Sequence, residues 1–309
     1  MPMKPKALWR SLYPFESRFL DLGGVRMHYV DEQKGRHPGD PPRRVLLMVH
    51  GNPTWSFFFR NVIVRFRDRF RCIALDHVGC GLSDKPGESE YSYRLEQRID
   101  DLCRLITELD LQDITLIAHD WGGAIGMGAA VRLPERFSRL VLMNTAAFRS
   151  DKFPLRIRVC RTPVFGRLAI QGLNLFAQAA LRMAVAKPQN LTKEVRAGLL
   201  APYDSWHNRT AVYRFVGDIP ATENHPSYPT LREIENQLAL FRNKPVAFIW
   251  GMQDWCFSPD FLARFLQFFP EADVHRLAEA GHYLLEDDPE TVIDVMERFI
   301  REDLQGDTG

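Results

Sequence analysis

The apolar run Ile114-Thr-Leu-Ile-Ala118 leads straight into His119-Asp120-Trp121-Gly122-Gly123, and then into a stretch of small residues from Ala124 to Ala130. Such a run suits a buried strand, and the small residues suit a helix packed close against it. The side chain at the apex of a sharp strand-to-helix turn stands exposed above the sheet, which is the context of a nucleophile elbow. Here that side chain is Asp120, with Ala118, Gly122 and Gly123 leaving the room the turn requires. The competing role for Asp120 is to N-cap the helix that follows, a position at which Asp is favoured.

Comparable apolar runs recur at Val45 to Val49, Cys72 to Leu75, Leu140 to Met143 and Val246 to Trp250. Amphipathic stretches such as Leu95 to Leu109 and Phe261 to Phe268 lie between them, and Phe19 to Asp31 reads as a hairpin turning at Gly23-Gly24. This rhythm predicts an α/β fold with a mostly parallel sheet and an antiparallel edge. From Phe148 to Glu235 it stops, giving way to helical patterns broken by Pro154, Pro163, Pro188, Pro202 and Pro220. The expected organisation is therefore one core, residues 1–147 and 236–309, carrying a helical cap at 148–235 inserted after the sixth strand. A chain of 309 residues with 45% hydrophobic content can bury one large core. Gln305 to Gly309 reads as a disordered tail.

Forty Lys and Arg against 39 Asp and Glu leave a formal charge of +1, so no global field points to nucleic acid. The five cysteines, Cys72, Cys80, Cys103, Cys160 and Cys256, are scattered and form no C-x-x-C pair. Neither a disulfide framework nor a zinc site is expected, and a reducing cytoplasm fits. No apolar run reaches the ~18 residues that would span a bilayer. Within the cap, Asp151 to Lys187 carries seven basic side chains against one acid, interleaved with Leu, Ile, Val and Phe. That pattern reads either as a solvated face or as a surface for a protein partner or an anionic membrane.

A carboxylate in the nucleophile position constrains the chemistry. Attack on a carbonyl would give an unstable mixed anhydride, which disfavours an esterase. Attack on an sp³ carbon bearing a leaving group gives an ordinary alkyl ester that a second step can resolve. Asp254 follows the strand pattern Val246 to Trp250, and Gly281-His282 follows one strand later. Nucleophile, acid and base in that chain order match the order of the elbow-type hydrolases, making His282 the base and Asp254 its orienter. The end of the preceding strand, Leu142-Met-Asn-Thr145, offers no carboxylate for that task. His50-Gly51-Asn52-Pro53 follows the third strand, where such folds supply one oxyanion-hole N–H, the other coming from the residue after the nucleophile. Those residues, Asn52 and Trp121, also carry uncharged side-chain donors suited to a departing halide or carboxylate. Their competing roles are an Asx-turn before Pro53 and core packing. The segment Asp76 to Pro86 reads as a scaffold turn, and among the remaining histidines His77 is the one expected to support the site.

With these residues assembled, the chain resembles the haloalkane dehalogenase family of the α/β-hydrolase superfamily. The resemblance rests on His50-Gly-Asn-Pro-Thr-Trp, His119-Asp-Trp-Gly-Gly, Trp250-Gly-Met-Gln-Asp and Gly281-His282, and covers nearly the full length. The set Asp120, His282, Asp254, Asn52 and Trp121 is similar to the pentad of that family's third subgroup. Asn144-Thr-Ala-Ala-Phe148, Pro202-Tyr-Asp-Ser-Trp-His-Asn-Arg209, Arg214-Phe-Val-Gly-Asp-Ile-Pro220 and His282-Tyr-Leu-Leu-Glu-Asp287 resemble the bacterial β-lactone decarboxylases of long-chain olefin biosynthesis, which overlap this subgroup. The resemblance implies an eight-stranded α/β-hydrolase fold and a small hydrophobic substrate, with no cofactor. It implies dehalogenation of a haloalkane through an ester on Asp120, or, with the same residues, loss of CO₂ from a β-lactone. An epoxide hydrolase would need two cap tyrosines, for which Tyr203 and Tyr213 are present. A catalytically silent ligand receptor is the reading from another class, against which the intact acid, base and nucleophile set argues.

Overall fold

Eight strands form a single sheet in the order β1-β2-β4-β3-β5-β6-β7-β8 in a computed structural model that describes residues 8–37, 40, 43–150 and 155–302. The strands are β1 (Arg18–Asp21), β2 (Arg26–Glu32), β3 (Val45–Val49), β4 (Arg71–Leu75), β5 (Ile114–Asp120), β6 (Phe137–Thr145), β7 (Val246–Gly251) and β8 (Asp273–Leu277). The pairs β1–β2 and β2–β4 are antiparallel, and every other pair is parallel. The expected hairpin is β1–β2, turning at Gly23-Gly24, whose two N–H groups both donate to Asp21 Oδ1. The α/β-hydrolase sheet with its antiparallel edge is thus as the sequence indicates.

All residues of β3, β5 and β7 are buried, which is why these strands read as unbroken apolar runs instead of alternating ones. Their side chains still divide by pleat. Leu47, Val49 and Leu116 pack with Ile99 and Leu102 of α2 (Leu95–Glu108) and with Ile125 of α3 (Trp121–Arg132). Leu46, Met48 and Ile117 pack on the opposite face with Ile63 of α1 (Arg60–Phe66) and with the C-terminal helix Pro289–Glu302, through Val292 and Met296.

Between β6 and β7 the chain is helical: α4 (Leu155–Cys160), α5 (Pro163–Arg167), a π-turn at Leu168–Gly172, α6 (Leu175–Met183), α7 (Lys193–Leu200), α8 (Thr210–Gly217) and α9 (Tyr228–Gln237). The last of these packs on α2 and α3. Residues 151–154, which include the start of the basic stretch and Pro154, lie outside the described residues, as does the expected tail at 305–309. Among the described residues, no helix is long and apolar enough to cross a membrane.

Two buried acids tie this segment and α1 to the turn that carries His282. Glu286 forms a two-pronged bond with Arg60 at 2.6 and 2.7 Å, both side chains being almost wholly buried. Asp287 accepts the backbone N–H groups of Ala186, Lys187 and Gly281 at 2.7 to 3.0 Å. Removing one partner of a buried ion pair strands the other charge in a low dielectric, at a cost of roughly 3–5 kcal/mol, whereas replacing both with apolar groups is close to neutral. Glu286→Ala is therefore expected to lower unfolding stability by about that amount in urea titration, and Arg60→Met/Glu286→Leu by far less. A loss below about 1 kcal/mol in the single variant, the level of a surface pair, would show that Arg60 is not held by this charge.

Candidate active site

Asp120 ends β5 with φ +54° and ψ −128°. A non-glycine residue in such a conformation costs of order 1–3 kcal/mol and persists only if its surroundings hold it. The Thr145 hydroxyl donates to its carbonyl oxygen, and the Asn52 N–H donates to Oδ1 at 2.8 Å. Close approach is possible because two neighbours lack side chains. A Cβ on Gly51 would overlap the Asp120 carboxylate, and one on Gly122 would overlap the Val49 carbonyl. Asp120 precedes α3 without a side-chain capping bond to its first turn, and its carboxylate lines the cavity of the site.

The structure brings all five sequence-derived residues together. His282 Nε2 lies 3.3 Å from Asp120 Oδ2, and His282 Nδ1 lies 2.7 Å from Asp254 Oδ2. Asp254 sits behind the imidazole with its side chain fully buried, and its Oδ1 accepts the Cys256 N–H at 2.7 Å. Burial alone would lower the basicity of His282, but the charge of Asp254 and the hydrogen bonds to Asp120 and Asp254 push it up to about 10. Burial alone would raise the Asp120 carboxyl, but bonding to His282 and the Trp121 backbone N–H hold it below its ordinary value. The resting pair at neutral pH is thus carboxylate and imidazolium.

Asn52 and Trp121 each contribute twice. The Asn52 backbone N–H donates to Asp120 Oδ1 and that of Trp121 helps keep the same carboxylate charged, so groups that would serve a substrate oxygen in a serine enzyme here serve the nucleophile itself. Their side chains face the cavity above. The Asn52 amide spends one N–H on the Val212 carbonyl at 3.2 Å, leaving its second N–H, and the Trp121 indole N–H has no protein acceptor among the described residues.

The sequence reading gives Asn144 no place in the site, taking it as a non-acid at a strand end and as the start of a stretch that resembles the decarboxylases. Its Nδ2 donates to Asp254 Oδ2 at 3.0 Å and to the Gly251 carbonyl at 3.0 Å, while its Oδ1 accepts the Gly251 N–H at 2.7 Å. The end of β6 therefore supplies a bracket for the acid that the end of β7 carries. An Asn at a strand end, where a left-handed φ of +34° is tolerated, was the available signal. The flanking histidines are braces. His77 Nε2 donates to the His50 carbonyl at 2.9 Å and its N–H donates to His50 Nε2 at 3.0 Å, fixing the turn that presents Asn52. His119 Nε2 donates to the His282 carbonyl at 2.8 Å, and burial holds its imidazole neutral, down to about 3.

Above these groups lies a cavity of about 740 Å³. Asp120, Asn52, Trp121 and His282 form its floor, and its walls are largely aliphatic and aromatic, including Ile157, Phe165, Ile170, Leu175, Phe176 and Leu231. Neither Tyr203 nor Tyr213 lines it, and the Tyr203 hydroxyl donates instead to the Thr54 carbonyl at 3.1 Å. The two cap tyrosines that an epoxide would need as proton donors are absent from the site. No group of three or more His, Cys, Asp or Glu residues among the described residues is arranged to hold a metal ion.

Comparison with known proteins matches residues 44–289 to the family described as alpha/beta hydrolase fold. A cis-3-alkyl-4-alkyloxetan-2-one decarboxylase of Shewanella oneidensis is 42% identical over 296 residues, spanning 94% of this chain and 90% of that protein. Haloalkane dehalogenase 2 of Mycobacterium tuberculosis is 33% identical over 293 residues, spanning 93% of this chain and 96% of that one. The crystal structure of haloalkane dehalogenase DbeA from Bradyrhizobium elkani superposes with a TM-score of 0.82 at 28% identity, covering 94% of this chain and 99% of DbeA. The chain is an enzyme belonging to the α/β-hydrolase fold family, in the group that joins these oxetanone decarboxylases to the haloalkane dehalogenases.

Proposed function

We propose that this enzyme converts a cis-disubstituted β-lactone with long alkyl substituents into an alkene and CO₂, with an oxygen of the Asp120 carboxylate as the nucleophile that attacks carbon. The observation that carries the reading is the cavity. At about 740 Å³ with apolar walls it far exceeds what a short haloalkane fills, and it suits an aliphatic substrate whose one polar group rests on the floor. The 42% identity to an oxetanone decarboxylase, against 33% to the dehalogenase, leans the same way. Residues 148–235 act as the cap that sets cavity size, and 1–147 with 236–309 as the body that carries the chemistry.

Asp120 Oδ2 attacks the sp³ ring carbon that bears the ring oxygen, and the C–O electron pair departs with that oxygen. The product is an alkyl ester on Asp120 and a free carboxylate, received by the spare N–H of Asn52 and the indole N–H of Trp121. The bond from carbon to CO₂ then breaks, its electron pair forms the C=C bond, and Asp120 is expelled as a carboxylate. The steps balance without an added proton, electron or water. Inversion in the first step followed by anti departure in the second leaves the alkyl groups cis. Donors that hold Asp120 in its charged form make it a good leaving group, and the Asn52 and Trp121 backbone N–H groups with His282 are such donors.

A second reading, haloalkane hydrolysis, is favoured by one specific feature: the Asn52 backbone N–H aimed at Asp120 Oδ1. Water added to an ester on Asp120 would place its oxyanion on that atom. Esterification also removes the Asp120 charge that helps raise His282, so the imidazole would turn from a cation into a base only after the first step. His282, oriented by Asp254, would then activate the water.

The two chemistries separate in one assay. Offered a long-chain cis-β-lactone, the enzyme is expected to yield cis-alkene and CO₂ in equal amounts, and in a single turnover in ¹⁸O water to leave Asp120 unlabelled. Label in Asp120, or β-hydroxy acid as the main product, would displace the decarboxylase reading in favour of hydrolysis. The role of charge is tested separately. Asp120→Asn should lower the imidazole titration of His282 seen by NMR from about 10 in the parent protein. Because folding raises that value, the pairing stabilises the protein fully below the unfolded imidazole value of about 6.5 and the benefit fades as pH climbs through about 10. An unchanged titration in the variant would mean that Asp120 and His282 are not electrostatically coupled.

A further inference from the structure

Exposed apolar side chains are not spread evenly over this molecule. Of the eleven large apolar residues that stand exposed among the described residues, eight fall between Val159 and Trp206. Val164 and Leu173 are 73% and 70% exposed, which no packing inside the chain explains. Four of the eight, Val159, Phe165, Leu175 and Met183, also line the cavity above Asp120. Residues that are at once solvent-exposed and cavity-lining mark its mouth, so the apolar surface forms the rim of the opening to the site.

The same stretch is strongly one-signed. From Leu155 to Lys187 there are five arginines and one lysine and no Asp or Glu. Arg156, Arg158, Arg167 and Arg182 are exposed, and Arg167 pairs with Glu88 at 3.2 Å and Lys187 with Glu279 at 3.4 Å. Apolar side chains flanked by cations, on short helices around an opening, match the surface of a lipid bilayer that carries anionic headgroups. The apolar groups insert to the depth of the headgroup and acyl boundary, and the arginines meet phosphate. A protein partner would have to supply an acidic rim and an apolar centre together, and it would close the mouth. A bilayer supplies both properties and is also the phase in which an aliphatic substrate dissolves.

We propose that the rim formed by α4, α5, the π-turn and α6 docks the enzyme on anionic membranes, with the cavity mouth facing the lipid. This goes beyond the reaction proposed above and rests on the exposed surface alone, since vesicle binding requires no turnover.

The test is flotation of the full chain with phosphatidylcholine vesicles prepared with and without phosphatidylglycerol. Wild-type protein is expected to float with the anionic vesicles at least about tenfold more than with the neutral ones, and less as salt rises. Val164→Ser/Leu168→Ser/Leu173→Ser should abolish flotation, and Arg158→Gln/Arg182→Gln should reduce it severalfold. These positions do not line the cavity, and an unchanged thermal midpoint will confirm that each variant folds. Equal flotation with both vesicle types, or wild-type flotation by the serine variant, overturns the proposal. So does wild-type protein that ignores vesicles but dimerises through this face, with the dimer lost in the serine variant, because the occupant would then be a second copy.

Discussion

The site depends on a carboxylate held charged while almost wholly buried. Desolvation works against charge on both Asp120 and His282, and each is kept ionic by the other and by what stands behind it. Asp254 sits at one end of the imidazole and Asp120 at the other, 2.7 and 3.3 Å away. The arrangement is a row of acid, imidazole and acid in which both neighbours raise the proton affinity of the imidazole. Converting Asp120 to an ester deletes one charge from that row. The chemistry of the second step then turns on whether the altered imidazole finds a water molecule or whether the ester is expelled first.

Much of the scaffold exists to hold this row in place. Asp287 and Glu286, five and four residues after His282, clamp its turn to the helical segment between β6 and β7 and to α1, and His119 grips the His282 carbonyl from β5. Asn144 reaches from β6 to hold Asp254. Each of these groups is buried and carries a polar atom whose partner lies far away in sequence. Loss of one partner would leave the other without a bond in a low-dielectric interior, so the same bonds that orient the site also stabilise the fold.

The elbow around Asp120 was legible in the sequence because it is local. The strand, the turn and the small residues that permit it lie within one short stretch, and Asp254 and His282 each follow a strand that can be recognised by its apolar run. Asn52 and Trp121 were legible as donors. That the Asn52 backbone N–H grasps an oxygen of the nucleophile itself was not, because it depends on how closely the ends of β3 and β5 approach, which Gly51 and Gly122 decide. Asn144 was missed for a related reason. Its significance lies in a contact with Asp254, 110 positions away, and an uncharged side chain at a strand end gives little sign of it. The absence of Tyr203 and Tyr213 from the cavity likewise follows from packing that periodicity does not encode.

The central claim, that Asp120 bonds to carbon, is tested most directly by trapping that bond. His282→Ala mixed with a long-chain 1-bromoalkane should release one bromide per enzyme molecule. The peptide containing Asp120 should then gain the mass of the alkyl group, located on Asp120 by fragmentation. Stoichiometric bromide release with Asp120 unmodified, or with the alkyl group on another residue, would contradict the account.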